Sequence, residues 1–216
     1  MTKTIEAAIF DVDGTFLDTS EFIFGAYEHS LAEHGQVVPE RSTIAKYIGR
    51  HITDIYNSLA PDGDFDSLFD THSRFQSENL GLIVAYDGLF EMLELLRDGG
   101  VKTAACSSRF KNLIPSLEHT GVVHYFDAIV QGSDVEKHKP HPEGVSLALD
   151  KLGVSPSKAV MIGDAGVDIT AGKAAGVAMT IGITHGFGTL EELEAKEPDF
   201  IVGGLMEIPP ILLGHL

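Results

Sequence analysis

The sequence predicts an α/β protein whose doubly wound parallel sheet carries a helical unit inserted after the first strand. Three observations carry this. Short apolar runs without polar alternation recur along the chain, as strands buried on both faces do. Helix-period segments alternate with them. The interval from about Leu17 to Tyr86 breaks the rhythm with helix-like segments and no convincing strand.

Ile5–Phe10, Val101–Cys106, Ala128–Val130, Ala159–Ile162 and Val177–Ile181 read as strands, with Phe200–Val202 as a sixth. Leu89–Leu96 has helical spacing. From Pro142 onward Val145, Leu149 and Leu152 share a helical face, and Gly153 supplies the stop. A further helix spans Gly166 to Ala175 and ends at Gly176. Within the inserted interval, Glu21–Glu33, Ser42–Ala60 and Phe65–Leu80 read as helices, separated by "HGQVVPE" and "APDGD", whose Gly and Pro punctuate turns. The expected division is a core of residues 1–16 and 87–216 and a helical cap of residues 17–86.

A chain of 216 residues can bury a substantial core. Its single cysteine, Cys106, excludes an internal disulfide and suits a reducing compartment, so the cytoplasm is the expected location. No charged-then-apolar leader and no apolar stretch of the ~18 residues a membrane span needs is read. With 32 acidic against 15 basic residues the net charge is −17, which repels nucleic acid and anionic membranes. A phosphate ligand therefore requires a metal or locally placed cations.

Four clusters follow predicted strands. In "DVDGT", Asp11 and Asp13 are two positions apart, so a continuing strand points both carboxylates into one space, where a cation or a shared proton must offset their repulsion. Gly14 then permits a sharp departure of the chain. In "CSSRF", Ser107 and Ser108 precede a helix expected near Phe110, where hydroxyls and free amides suit a phosphate. Ser108 reads equally as an ordinary helix cap. In "EKHKPHPEG", Lys139 is held extended by Pro140, while His138 and His141 lack a third soft ligand for zinc. In "VMIGDAGVDIT", Asp164 ends a strand, and Asp168 falls in the first turn of a helix, where it also complements the dipole. Carboxylates, hydroxyls and a lysine at strand tips form a phosphoryl-transfer inventory, and the carboxylates suit Mg²⁺.

In order and spacing these clusters resemble the haloacid dehalogenase-like hydrolases, in particular their phosphatase branch with an inserted helical cap. "DVDGTFLDT" is similar to the family's DxDGTLxDS, Ser107 matches its second motif, Lys139 in "KPHP" its third and "GDAGVD" its fourth. The resemblance implies an HAD-like Rossmannoid core and an aspartyl-phosphate intermediate on Asp11, with Asp13 as general acid and base. It implies Mg²⁺ held by Asp11, the Asp13 carbonyl oxygen and Asp164. Phosphate would be bound by Ser107 and Lys139, with Asp168 orienting Lys139 or a metal-bound water. Relatives often carry asparagine where this chain has Ser108, so there a backbone amide is the alternative donor. Asp13 is absent from the family's dehalogenases. The mutases' hinge histidine aligns with Ile23, which cannot shuttle protons. Lys46, the only lysine of the cap, precedes "YIG" where phosphonoacetaldehyde hydrolases place theirs after a comparable glycine.

The expected activity is hydrolysis of a small phosphorylated metabolite, of phosphoglycolate or sugar-phosphate type. A mutase and a non-catalytic binding protein on the same scaffold are the alternatives. In "KYIGRHITD", Gly49 would bring the backbone close, and Arg50 and His51 would meet a substrate carboxylate or hydroxyl, with Arg109 helping from the core. Arg50 reads equally as a surface helix residue. The junctions Gly14–Asp18 and Tyr86–Gly88 are the expected hinges of cap movement. Oligomeric state is not legible.

Overall fold

A computed structural model describes residues 5–48 and 50–214 of the chain. In chain order its elements are β1 (Ala7–Phe10), β2 (Leu17–Asp18), α1 (Ser20–Glu33), α2 (Arg41–Ala45), α3 (Ile52–Leu59), α4 (Phe65–Glu78), β3 (Val84–Ala85), α5 (Leu89–Asp98) and β4 (Lys102–Cys106). There follow α6 (Leu113–His119), β5 (Ala128–Val130), α7 (Glu143–Leu152), β6 (Ala159–Gly163), α8 (Gly166–Ala175), β7 (Met179–Ile183), α9 (Leu190–Glu194), β8 (Phe200–Val202) and α10 (Ile208–Leu213).

Six strands form one sheet in the order β5-β4-β1-β6-β7-β8, and every pairing in it is parallel. The strands alternate across it: Ala7 and Ile9 join the core under α7 and α8, whereas Ala8 and Phe10 join Met92, Leu93 and Leu96 of α5. Burial on both faces explains the unbroken apolar runs. Strands β4 and β5 lie on one side of β1, and β6, β7 and β8 on the other. The carboxyl end of β1 therefore sits where the winding reverses, the place at which such sheets bind ligands.

Helices α1 to α4 occupy the interval between β2 and β3, which pair antiparallel through Leu17–Ala85 and Asp18–Val84. The expected boundaries fall beside this two-strand ribbon. Its presence corrects the expectation of no strand in the interval. The single helix expected over Ser42–Ala60 is two, α2 and α3. His51 starts the second, its Nδ1 accepting from Thr53 N at 3.4 Å. Gly49 lies outside the described residues. The predicted stops hold: Gly153 and Gly176 close α7 and α8 in the left-handed conformation. Strand β7 starts two residues later than predicted, because Val177 N still donates to Gly172 O and belongs to the helix end.

Candidate active site

Asp11 continues the line of β1, its N–H donating to Ile162 O at 2.8 Å, so its carboxylate emerges at the reversal point. There it forms an ion pair with Lys139. The Lys139 ammonium also bonds Asp168 Oδ1 at 2.6 Å and the Cys106 carbonyl at 3.1 Å, which occupies all three of its donors. Asp164 stands beside them, accepting from Thr15 Oγ1 at 3.2 Å and from Phe187 N at 2.7 Å. Asp168 Oδ2 accepts from Ala165 N at 3.1 Å, which fixes it at the start of α8. Gly14 has φ +81°, and a Cβ there would lie 2.7 Å from the Phe187 ring, so the turn after Asp13 requires glycine on both counts.

The electrostatics are those of a site short of positive charge. Carboxylate oxygens of Asp11, Asp164 and Asp168, all buried, lie within 4.8 Å of one another. Burial pushes the Asp11 carboxyl well above its ordinary range, with Asp168 and Asp164 adding to the effect and Lys139 opposing it. Burial and then Asp168 push Asp164 up to about 7, against the pull of the Phe187 N–H and the Thr15 hydroxyl. Burial works against the Lys139 charge too, but Asp11 and Asp168 outweigh it and hold the ammonium well above its usual value. One ammonium among three carboxylates leaves negative charge uncompensated, and hard oxygen donors in that state fit a divalent cation.

Asp13 is partnered differently. Its carboxylate forms an ion pair with Arg109 and accepts from Ser107 Oγ at 3.3 Å. The Arg109 side chain is 7% exposed, donates to Ser116 Oγ at 2.5 Å and lies 4.9 Å from the Phe22 ring centroid. The Asp13 carboxylate is not one of the clustered three, although it opens on the same cavity as Asp11. Asp11, Asp13, Ser107, Ser108, Arg109, Lys139, Asp164 and Asp168 all line one cavity of ≈ 490 Å³ between the sheet and the inserted helices.

The sequence-based reading of Ser107 and Ser108 as a helix start is corrected. Helix α6 begins only at Leu113, because Ser107 Oγ accepts from Arg109 N at 3.0 Å and Gly132 N holds Arg109 O at 2.8 Å, keeping the segment a loop. Arg50 lines the cavity, its guanidinium 5.4 Å from the Tyr47 ring centroid. His51 does not line it: besides capping α3 it stacks on His138 at 4.4 Å, a contact between the inserted helices and the Lys139 loop. His141 pairs instead with Glu143 at 3.9 Å, so the two histidines of "KHKPHP" face different neighbours.

Tyr27, His72 and Gln76, which line the same cavity from α1 and α4, belong to no motif that marks them. In "FDTHSRFQSE" the last two look like polar residues of a solvated helix, and only their spacing with Phe69 places them on one face. His72 is 3% exposed and its Nδ1 lies 3.0 Å from Tyr56 Oη. Burial, and secondarily the charge of Arg109, lower its pKa to about 3. Between that value and the unfolded value of 6.5 the unfolded chain binds the extra proton. Stability therefore falls as the pH drops from 6.5 toward 3. We expect His72→Phe to remove a part of this acid sensitivity, on the order of 4 kcal/mol at its fullest. Urea melts of both proteins at pH 7 and at roughly 4.5 check it, and parallel curves would contradict it.

No helix among the described residues is long and apolar enough to cross a membrane. A parallel sheet with buried carboxylates and a lysine at its carboxyl edge defines the class of protein, and comparison with known proteins agrees. A sequence model described as haloacid dehalogenase-like hydrolase matches residues 8–181. The pyrophosphatase PpaX of Bacillus pumilus is 33% identical over 97% of both chains, and that of Bacillus velezensis 30% over 95% of both. A crystal structure of a predicted phosphoglycolate phosphatase from Haemophilus somnus superposes with a TM-score of 0.89 over 98% of this chain and 99% of the other. At 22% identity that likeness is one of fold. The chain belongs to the haloacid dehalogenase-like hydrolases and is an enzyme of their phosphatase type.

Proposed function

We propose that this protein is a Mg²⁺-dependent phosphohydrolase that passes a phosphoryl group from a small phosphorylated metabolite to Asp11 and then to water. The observation that carries this is the Lys139 ammonium bridging Asp11 and Asp168 beside Asp164 on the cavity floor. Lys139 favours the ionised form of Asp11 against its burial and aims it, and a carboxylate so oriented is a nucleophile toward phosphorus. As the Asp11–phosphorus bond forms, the bond to the leaving oxygen breaks and Asp13 supplies that oxygen with a proton. Asp13 then takes a proton from the water that releases phosphate. Ser107, on the Asp13 carboxylate, and Ser108 bind phosphoryl oxygens, and the Lys139 charge beside Asp11 draws the phosphoryl group to the nucleophile. Asp11, Asp164 and the Asp13 carbonyl would hold Mg²⁺, which neutralises charge on the transferred group.

The side chains around the cavity bear on the substrate. Lys46, Arg50 and Lys111 line it in a chain of net charge −17, which favours an anionic leaving group. Relatives named for pyrophosphate make pyrophosphate the first compound to test, with phosphoglycolate second. Ile23 lines the wall and offers no proton carrier, which supports hydrolysis over a mutase reaction. The single cysteine, Cys106, is buried and free, which suits action in a reducing compartment such as the cytoplasm.

The test is turnover of pyrophosphate, phosphoglycolate and p-nitrophenyl phosphate with and without metal. Chelation should abolish turnover, Mg²⁺ should restore it, and Mg²⁺ should raise the melting temperature by binding the folded state alone. Metal-replete protein inert toward all three would overturn the reading.

A further inference from the structure

The cavity wall facing the carboxylates is built from α1 and α4. Tyr27 lies one turn beyond Ile23 on α1, and His72, Ser73 and Gln76 share a face of α4. Tyr27 is 4%, His72 3% and Gln76 6% exposed, and all three line the cavity. Among the described residues, nothing hydrogen-bonds to Tyr27 Oη, to His72 Nε2 or to the Gln76 amide, and the Ser73 hydroxyl is buried without a partner as well. Buried polar groups are ordinarily paired. The Ser73 hydroxyl, buried and unpaired, and the polar groups of Tyr27, His72 and Gln76, which open unpaired on the cavity, mark one wall where a ligand completes the pairing.

Their position relates them to the departing part of the substrate. Asn112 Nδ2 reaches the Ser73 carbonyl at 3.4 Å, so α4 abuts the loop that carries Arg109. The Arg109 guanidinium is anchored by Asp13, Ser116 and the Phe22 ring, and its charge is felt at His72. Asp13 is the residue that serves the leaving oxygen, so what departs lies between Arg109 and α4. Tyr, His, Ser and Gln each offer a donor hydrogen there, next to the Arg109 guanidinium. Many donors around one guanidinium suit a compact group with several acceptor oxygens.

We propose that Tyr27, His72, Ser73 and Gln76, with Arg109, form a leaving-group subsite for a second oxyanion. The preferred substrates then carry a phosphate or a carboxylate on the group that departs. The inference rests on the phosphohydrolase reading and narrows its substrate class.

Tyr27→Phe and Gln76→Met remove the polar atoms while keeping the bulk, and thermal melts verify that each variant folds. Pyrophosphate, phosphoglycolate and glycerol 2-phosphate present a phosphate, a carboxylate and an uncharged leaving group. For either variant we expect the ratio of kcat/KM for pyrophosphate or phosphoglycolate to that for glycerol 2-phosphate to fall about tenfold, chiefly through KM. A drop with pyrophosphate alone assigns the subsite to phosphate, and with phosphoglycolate alone to carboxylate. Turnover with an unchanged ratio overturns the subsite and leaves the phosphohydrolase reading standing. If the unmodified protein turns over none of the three, that reading fails, and calorimetry with pyrophosphate on the Asp11→Asn background decides the subsite. Equal affinity with and without Gln76→Met would then refute it.

Discussion

Asp11→Asn should lower turnover by at least about 10⁴-fold, the scale of losing a nucleophile from a set that acts as a unit. The amide keeps the shape of the carboxylate but cannot form the acyl phosphate. The fold should not suffer. Ionised Asp11 is disfavoured in the native state by burial and by Asp168 and Asp164, which is why its pKa is raised, so at neutral pH without metal its charge costs stability. Replacing it removes that cost while Lys139 keeps Asp168. The melting temperature of the variant should match or exceed that of the unmodified protein, and a fall of several degrees would show that the Asp11–Lys139 pair is a structural element first. Turnover against p-nitrophenyl phosphate, followed together with the melt, separates the two cases.

Lys139→Met should damage both properties. The side chain is 5% exposed and is the only cation on Asp11 and Asp168 among the described residues. Taking one partner from a buried ionic group leaves uncompensated charge, at a cost of about 3–5 kcal/mol. Turnover should fall about 10²–10³-fold or more, the scale of losing one group that stabilises developing charge. A divalent cation restores some of the missing positive charge, so added Mg²⁺ should recover more of the stability than of the activity. A variant as stable as the parent in chelator would contradict this account. Lys139→Arg should not rescue turnover, since a planar guanidinium cannot place three bonds on Asp11, Asp168 and the Cys106 carbonyl from the same buried point.

What the sequence disclosed follows from how local each determinant is. Strand cores and the glycine stops at Gly153 and Gly176 are written in adjacent residues, because burial on both faces and left-handed backbone are local demands. Asp11, Lys139 and Asp164 were legible because each follows a strand whose end must open on the crevice. The partner of Asp13 was not, since Arg109 is 96 positions away and nothing near it in the chain indicates which carboxylate it meets. The helix expected near Phe110 starts only at Leu113, because Arg109 O accepts from Gly132 N, which belongs to a different strand connection. His72 and Gln76 were invisible for a related reason: a polar face on a helix reads as solvated until the fold shows what it faces.

The central place of β1 also has a consequence for how the chain is made. Its neighbours pair through Lys102–Ala105 on one side and Ala159–Ile162 on the other. A ribosome releases "AAIF" long before either partner exists: about 90 further residues separate Phe10 from β4, and about 150 separate it from β6 on the other side. The inserted helices, whose contacts are nearer in sequence, can form in that interval, but the sheet cannot close around its centre until the second half emerges. The arrangement that brings a nucleophile to the middle of the fold makes its strand wait longest for partners during synthesis.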